Sequence, residues 1–124
     1  MTASLMTAPS TTISTMKWEK RVLLVSVPNA NDPLLNDQRR IIARWRSGAE
    51  ERDLAIVEIV GDKVIGAIDP AASLRRRYVL PRAGFTIVLI RKDGSAKLRG
   101  TRPISAAMLR TTIDAMRMRL SDRR

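Results

Sequence analysis

The 124-residue chain is 44% hydrophobic and 28% charged, enough for one globular core and not two. It contains no cysteine and no histidine, which excludes disulfides, thiol nucleophiles, Cys/His zinc sites and a histidine general base. The net charge of +11 sits in the second half, where residues 61–124 carry fifteen basic against five acidic side chains; such an excess attracts polyanions, whether nucleic acid, anionic lipid or acidic protein.

Residues 1–16 (MTASLMTAPSTTISTM) hold no charge and little contiguous apolar surface, so they are expected to form a disordered leader ahead of one domain over 17–120 and a basic tail at 121–124. No basic n-region precedes an unbroken apolar stretch, and nothing approaches the roughly 20 apolar residues of a membrane span. A cytoplasmic location without a membrane span follows, with a periplasmic or exported one if the chain's true start lies elsewhere.

Arg21 to Ser26 (RVLLVS) predicts a first strand, ended by Pro28 and the turn residues Asn29-Ala30-Asn31-Asp32-Pro33. Asp32 before Pro33 is a helix start, since the carboxylate caps free amides and proline suits the first helical position. Leu34, Leu35, Gln38, Ile41, Ile42 and Trp45 then recur at helical spacing, and Gly48 is expected to close that helix. Leu54 to Val60 (LAIVEIV) reads as a strand covered on both faces. Pro70 opens a short helix in which Leu74 and Tyr78 share a side, before Pro81 and Gly84 break it. Thr86 to Ile90 and Ala96 to Arg99 flank the tight turn Lys92-Asp93-Gly94-Ser95 and predict a hairpin whose second strand is a sheet edge. In the last helix Ser105 is the cap, Ile104 staples onto Leu109, and Leu109, Ile113, Met116 and Leu120 form the apolar stripe.

This order, β-α-β-α-β-β-α, fits an α/β thioredoxin-like plan: a four-stranded mixed sheet ordered 2-1-3-4 with helices on both faces. A ferredoxin-like plan lacks a candidate final strand.

Several stretches resemble the family known as domain of unknown function 4174, which also occurs at the end of animal sushi-repeat-containing proteins. They are Trp18 with Arg21-Val22-Leu23-Leu24-Val25, Glu51-Arg52-Asp53-Leu54, and Glu58-Ile59-Val60-Gly61-Asp62. Further along come Gly84-Phe85, Leu89-Ile90, Lys92-Asp93-Gly94, Lys97-Leu98-Arg99 and Ile113 to Arg119. The family usually shows proline where Arg117 stands and glycine where Arg91 stands. The resemblance implies a thioredoxin-like, peroxiredoxin-related fold without an established activity, and bacterial and animal members that are exported.

In such a fold the redox pair sits where this chain has Asn29 to Pro33, and a substrate-positioning cis-proline sits at Phe85 or Thr86. With no thiol, cysteine exchange or peroxide reduction is excluded. Asn29, Asn31, Asp32 and Phe85 remain candidate ligand residues, because amides opening a helix receive anionic groups; the alternative is a structural helix that Asp32 itself caps. Arg75, Arg76, Arg77 and Arg82, with Tyr78 to stack on a base, are the candidate polyanion face; the alternative is arginine spread over solvated surfaces. Glu50, Glu51 and Asp53 around Arg52 read as a solvated turn with local ion pairing, and Trp18, Trp45, Met108, Met116 and Met118 as core or rim. No catalytic residue, metal site or cofactor is expected. Three functions stay open: a non-enzymatic binding or adaptor domain with a protein partner, an RNA- or DNA-binding module using the basic half, and an enzyme working through carboxylates or backbone groups at Pro28 to Pro33.

Overall fold

The computed structural model describes the backbone of residues 11–122 and the side chains of residues 11–116. Its frame is a five-stranded sheet ordered β3-β2-β1-β4-β5. The central strand β1 (Arg21–Val27) is buried along all seven residues. It is apolar on both sides, with Val22 and Leu24 on one face and Leu23, Val25 and Val27 on the other. Parallel pairing to β2 (Leu54–Val60) in the register Arg21↔Leu54 to Val27↔Val60 requires a crossover. Two helices supply it, α1 (Pro33–Arg44) and α2 (Arg46–Glu51). On its other side β1 pairs antiparallel with β4 (Thr86–Ile90), from Ser26↔Thr86 to Val22↔Ile90, and β5 (Ala96–Gly100) completes the hairpin.

The expected four strands keep their mutual order, but the sheet gains a fifth. Lys63–Ile65 forms β3, antiparallel to the end of β2. It is three residues long and only partly covered, so no alternation marks it in the sequence. Gly61, at φ +63°, makes the tight turn into it, and Gly66, at φ +98°, leaves it so close to the Ile56 carbonyl that a Cβ has no room.

Side-chain parity splits the core into two layers. One face of the sheet packs Leu23, Val25, Ile87 and Leu89 against Leu35 of α1 and against Leu109 and Ile113 of α4 (Ala106–Asp122). The other packs Val22, Leu24, Val57, Ile59, Val88 and Ile90 against Leu74 and Tyr78 of α3 (Ala71–Tyr78). Each fully covered aliphatic side chain contributes about 1.5–3 kcal/mol.

Four expectations are corrected. Thr11 to Met16 is not leader: Ile13 is a core residue of the α3 layer, its amide donates to Asp69 Oδ1 at 2.9 Å, and Ser14–Met16 forms a 3-10 turn. Residues 1–10 lie outside the described residues. Trp18 is not core; it is 70% exposed at φ +73°, with the Lys17 ammonium 5.6 Å from its ring. Gly48 does not end α1. The helix breaks at Trp45, and Gly48 lies inside α2 because the Trp45 indole occupies the space a Cβ would take. Finally, α4 runs through Asp122, so the expected tail at 121–124 is partly helix, with Arg123 and Arg124 outside the described residues. No described helix is long and apolar enough to cross a membrane.

Candidate functional site

The chain reverses its direction of travel across the sheet at β1: the crossover through α1 leads to β2 on one side, and the later return leads to β4 on the other. In open α/β sheets, ligands collect outside the carboxyl ends of strands at such a switch point. Here that place holds Pro28 to Asp32, with Phe85 and Thr86 entering β4 alongside.

The turn is closed by its own side chains. Asn29 Oδ1 accepts the Asn31 amide at 3.0 Å, and the Asp32 amide donates to the Asn29 carbonyl at 3.3 Å. Asp32 Oδ1 accepts the amides of Leu34 at 2.9 Å and Leu35 at 3.4 Å. The amides that would receive an anion at the start of α1 are thus satisfied internally. Phe85 is buried in the same layer as Val27 and Leu35 and packs beneath the turn instead of facing outward. Among the described residues every peptide bond is trans, that entering Thr86 included.

The four candidate polyanion arginines do not form one face. Arg76 is exposed, but Arg77 lies 5.2 Å from the Tyr78 ring and donates to Ser14 Oγ at 2.9 Å, and Arg82 pairs with Asp62 at 3.4 Å. Arg75 points inward and is 8% exposed. The carboxylates near Arg52 are likewise separated. Arg52 holds Asp114 through two nitrogens, at 3.0 and 3.2 Å, and Asp53 accepts from Lys92 at 3.0 Å, which keeps the Asp53 carboxyl below its ordinary range. Acids held apart by cations do not crowd one another into acid–base partners.

Two polar features lay hidden in the sequence. On the α1 face, Glu58 is buried within an otherwise apolar strand and receives Arg39 through Nε at 3.0 Å and Nη2 at 2.6 Å. The pair borders a cleft of about 160 Å³ floored by Val25, Ile42 and Ile56. A carboxylate inside LAIVEIV was the available signal for it. On the α3 face, four buried side-chain atoms find no hydrogen-bond partner among the described residues: Ser26 Oγ, Arg75 Nε, Arg75 Nη1 and Tyr78 OH. Burial holds the Tyr78 phenol above its ordinary range, against the opposing pull of Arg77. Ser26 alternates with Val22 and Leu24 along β1, which puts its hydroxyl on the α3 side, opposite Thr86. The signal here was a lone hydroxyl inside VLLVS, and the triple-arginine run obscured the inward one.

Comparison with known proteins agrees with this frame. The model of a family described as Domain of unknown function (DUF4174) matches residues 12–122. The Sushi repeat-containing protein SRPX of Rattus norvegicus and that of Homo sapiens are each 31% identical over 110 residues, covering 82% of this chain and 24% of theirs. The chain thus spans about a quarter of the length of those relatives. The reduced 2-Cys peroxiredoxin of Plasmodium vivax superposes with a TM-score of 0.67 at 14% identity, over 88% of this chain and 84% of that one. At that identity the likeness is one of fold: thioredoxin-like, mixed α/β.

Proposed function

The chain belongs to the DUF4174 family, and from that membership we propose that it is a non-enzymatic binding domain, a thioredoxin-like scaffold kept for its surface with a protein as partner. The observation that carries this reading is the state of the switch-point turn: no cysteine is present anywhere in the sequence, and the amides opening α1 are already taken by Asp32. Thiol exchange needs a thiolate at that helix start, and none can form. What remains is surface, including the α1–β2 cleft with its apolar floor and the Arg39–Glu58 pair at its border. The charge of +11 favours an acidic partner surface.

Two measurements test this. Insulin-reduction and thiol-dependent peroxidase assays are expected at buffer background with any reductant. Capture from native lysate is expected to retain a partner protein that Ile42→Glu, which places a charge in the cleft floor, releases. Turnover in either assay, or a partner held equally by both proteins, overturns the reading. The nucleic-acid alternative is weakened, since of its four arginines Arg75 is buried, Arg77 is held by Ser14 and Tyr78, and Arg82 pairs with Asp62.

A further inference from the structure

The cleft between α1 and β2 is small and open to solvent, and its size already restricts what can occupy it. A dry cavity of about 150 Å³ holds one benzene. At about 160 Å³, with Val25, Ile42 and Ile56 as its floor, this cleft admits a single branched or aromatic side chain and nothing larger. Most of the polar groups around it are already committed. Gln38 donates to the Ile104 carbonyl at 3.0 Å and accepts the Ile104 amide at 2.7 Å, and Arg39 and Glu58 hold each other. Arg46 is different: it lines the same cleft, is exposed, and makes no hydrogen bond or ion pair among the described residues. Two cations against one carboxylate leave the rim with a charge of +1, carried by Arg46.

We propose that this cleft receives the C-terminal residue of a partner protein, an apolar side chain on the floor with its free α-carboxylate on Arg46. The occupant must present an apolar group and an anion within the reach of one residue. An internal residue of an extended segment does not, because its neighbours' side chains point to the opposite face and the next one on the same face lies about 6.6 Å further along. A C-terminal residue carries both on one Cα. Its carboxylate matches the planar fork of a guanidinium, and such charge-assisted pairs are the strong hydrogen bonds of a recognition site. The apolar floor supplies the remaining affinity, as in sites where a few polar groups orient a ligand held by hydrocarbon. The inference rests on the binding-domain reading and deepens it by naming the part of the partner that is held.

The test titrates the ¹⁵N-labelled full chain with an acetylated Gly-Ser-Gly-Ser-Leu peptide, as the free acid and as the C-terminal amide, and reads the backbone amides of Ile42, Ala43 and Ile56. The free acid is expected to shift them saturably and to bind about tenfold more tightly than the amide, the worth of one hydrogen-bonded charge. Arg46→Met is expected to bind both forms alike, at the affinity of the amide, whereas the surface control Arg76→Met on α3 keeps the wild-type preference. Ending the peptide in Gly instead of Leu, or replacing Ile42→Glu in the protein, is expected to abolish the shifts. Acid and amide bound equally by the wild type, a preference that survives Arg46→Met, a Gly-ended peptide bound as well as the Leu-ended one, or no shift with any peptide each overturns the proposal. If one of these occurs while lysate capture still yields a partner that Ile42→Glu releases, the binding-domain reading stands and the cleft takes an internal side chain of that partner.

Discussion

The two faces of the sheet bury similar hydrocarbon and treat polar groups in opposite ways. Among the described residues, every buried polar side chain on the α1–α4 face has a partner. Gln38 donates to the Ile104 carbonyl at 3.0 Å and accepts the Ile104 amide at 2.7 Å, and Glu58 holds Arg39 through two bonds. On the α3 face Ser26 Oγ, Arg75 Nε and Nη1, and Tyr78 OH have none among the described residues. The first face is complete as structure, because each polar group there fixes one element against another. The second buries polar atoms that tie no described element to another.

The largest effect expected from this contrast comes from Gln38→Leu. It strands a buried amide and carbonyl of Ile104 at the entry to α4, for a loss of about 3 kcal/mol in urea unfolding. Tyr78→Phe on the other face deletes a hydroxyl that bonds nothing and should fall within about 0.5 kcal/mol of wild type. Equal losses from the two would erase the distinction between the faces.

Next in size is Arg39→Met, which leaves Glu58 buried without its cation. About 2 kcal/mol should be lost, less than for a fully buried pair because the Arg39 side chain is 43% exposed. Replacing both residues by Met should recover most of that loss, since the second change removes the stranded charge.

Asp32→Ala should cost about 1 kcal/mol by uncapping α1. The same change tests the switch-point turn: if the turn is structural, binding of the captured partner persists once stability is matched.

The smallest effect is a pH step. Asp53 is held below its ordinary value of 3.8, first by its hydrogen bond from Lys92, so its share of stability is complete above that value and is lost as pH falls through the lower folded pKa. Both side chains are partly solvated, which limits the step to about 0.5 kcal/mol. Asp53→Asn should flatten stability below about pH 4 by that amount and leave it unchanged at pH 7 to within the small cost of the lost pair.

The layers of the fold were legible because their signals are local. β1, β2 and β4 announce themselves as continuous apolar runs between turn residues, Asp32-Pro33 opens α1 as expected, and Ser105 caps α4 by accepting the Met108 amide at 3.1 Å. What stayed illegible depends on contacts distant in sequence. β3 is too short to carry a period, and Ile13 is drawn into the core by a bond to Asp69, 56 residues away. Trp18 is held at the surface by its amide's bond to the Lys92 carbonyl, so an aromatic beside a strand was no guide to burial. The candidate residues followed the same division. The Asn29–Asp32 turn closes through neighbours and could be foreseen as a cap, whereas the inward aim of Arg75 depends on how α3 lies across β1 and β4.

The most direct measurement of the asymmetry is urea unfolding of Ser26→Ala and Tyr78→Phe beside Gln38→Leu and Arg39→Met. The account predicts that the first two stay within about 0.5 kcal/mol of wild type while the second two lose about 2–3 kcal/mol. Losses of similar size on both faces of the sheet would contradict it.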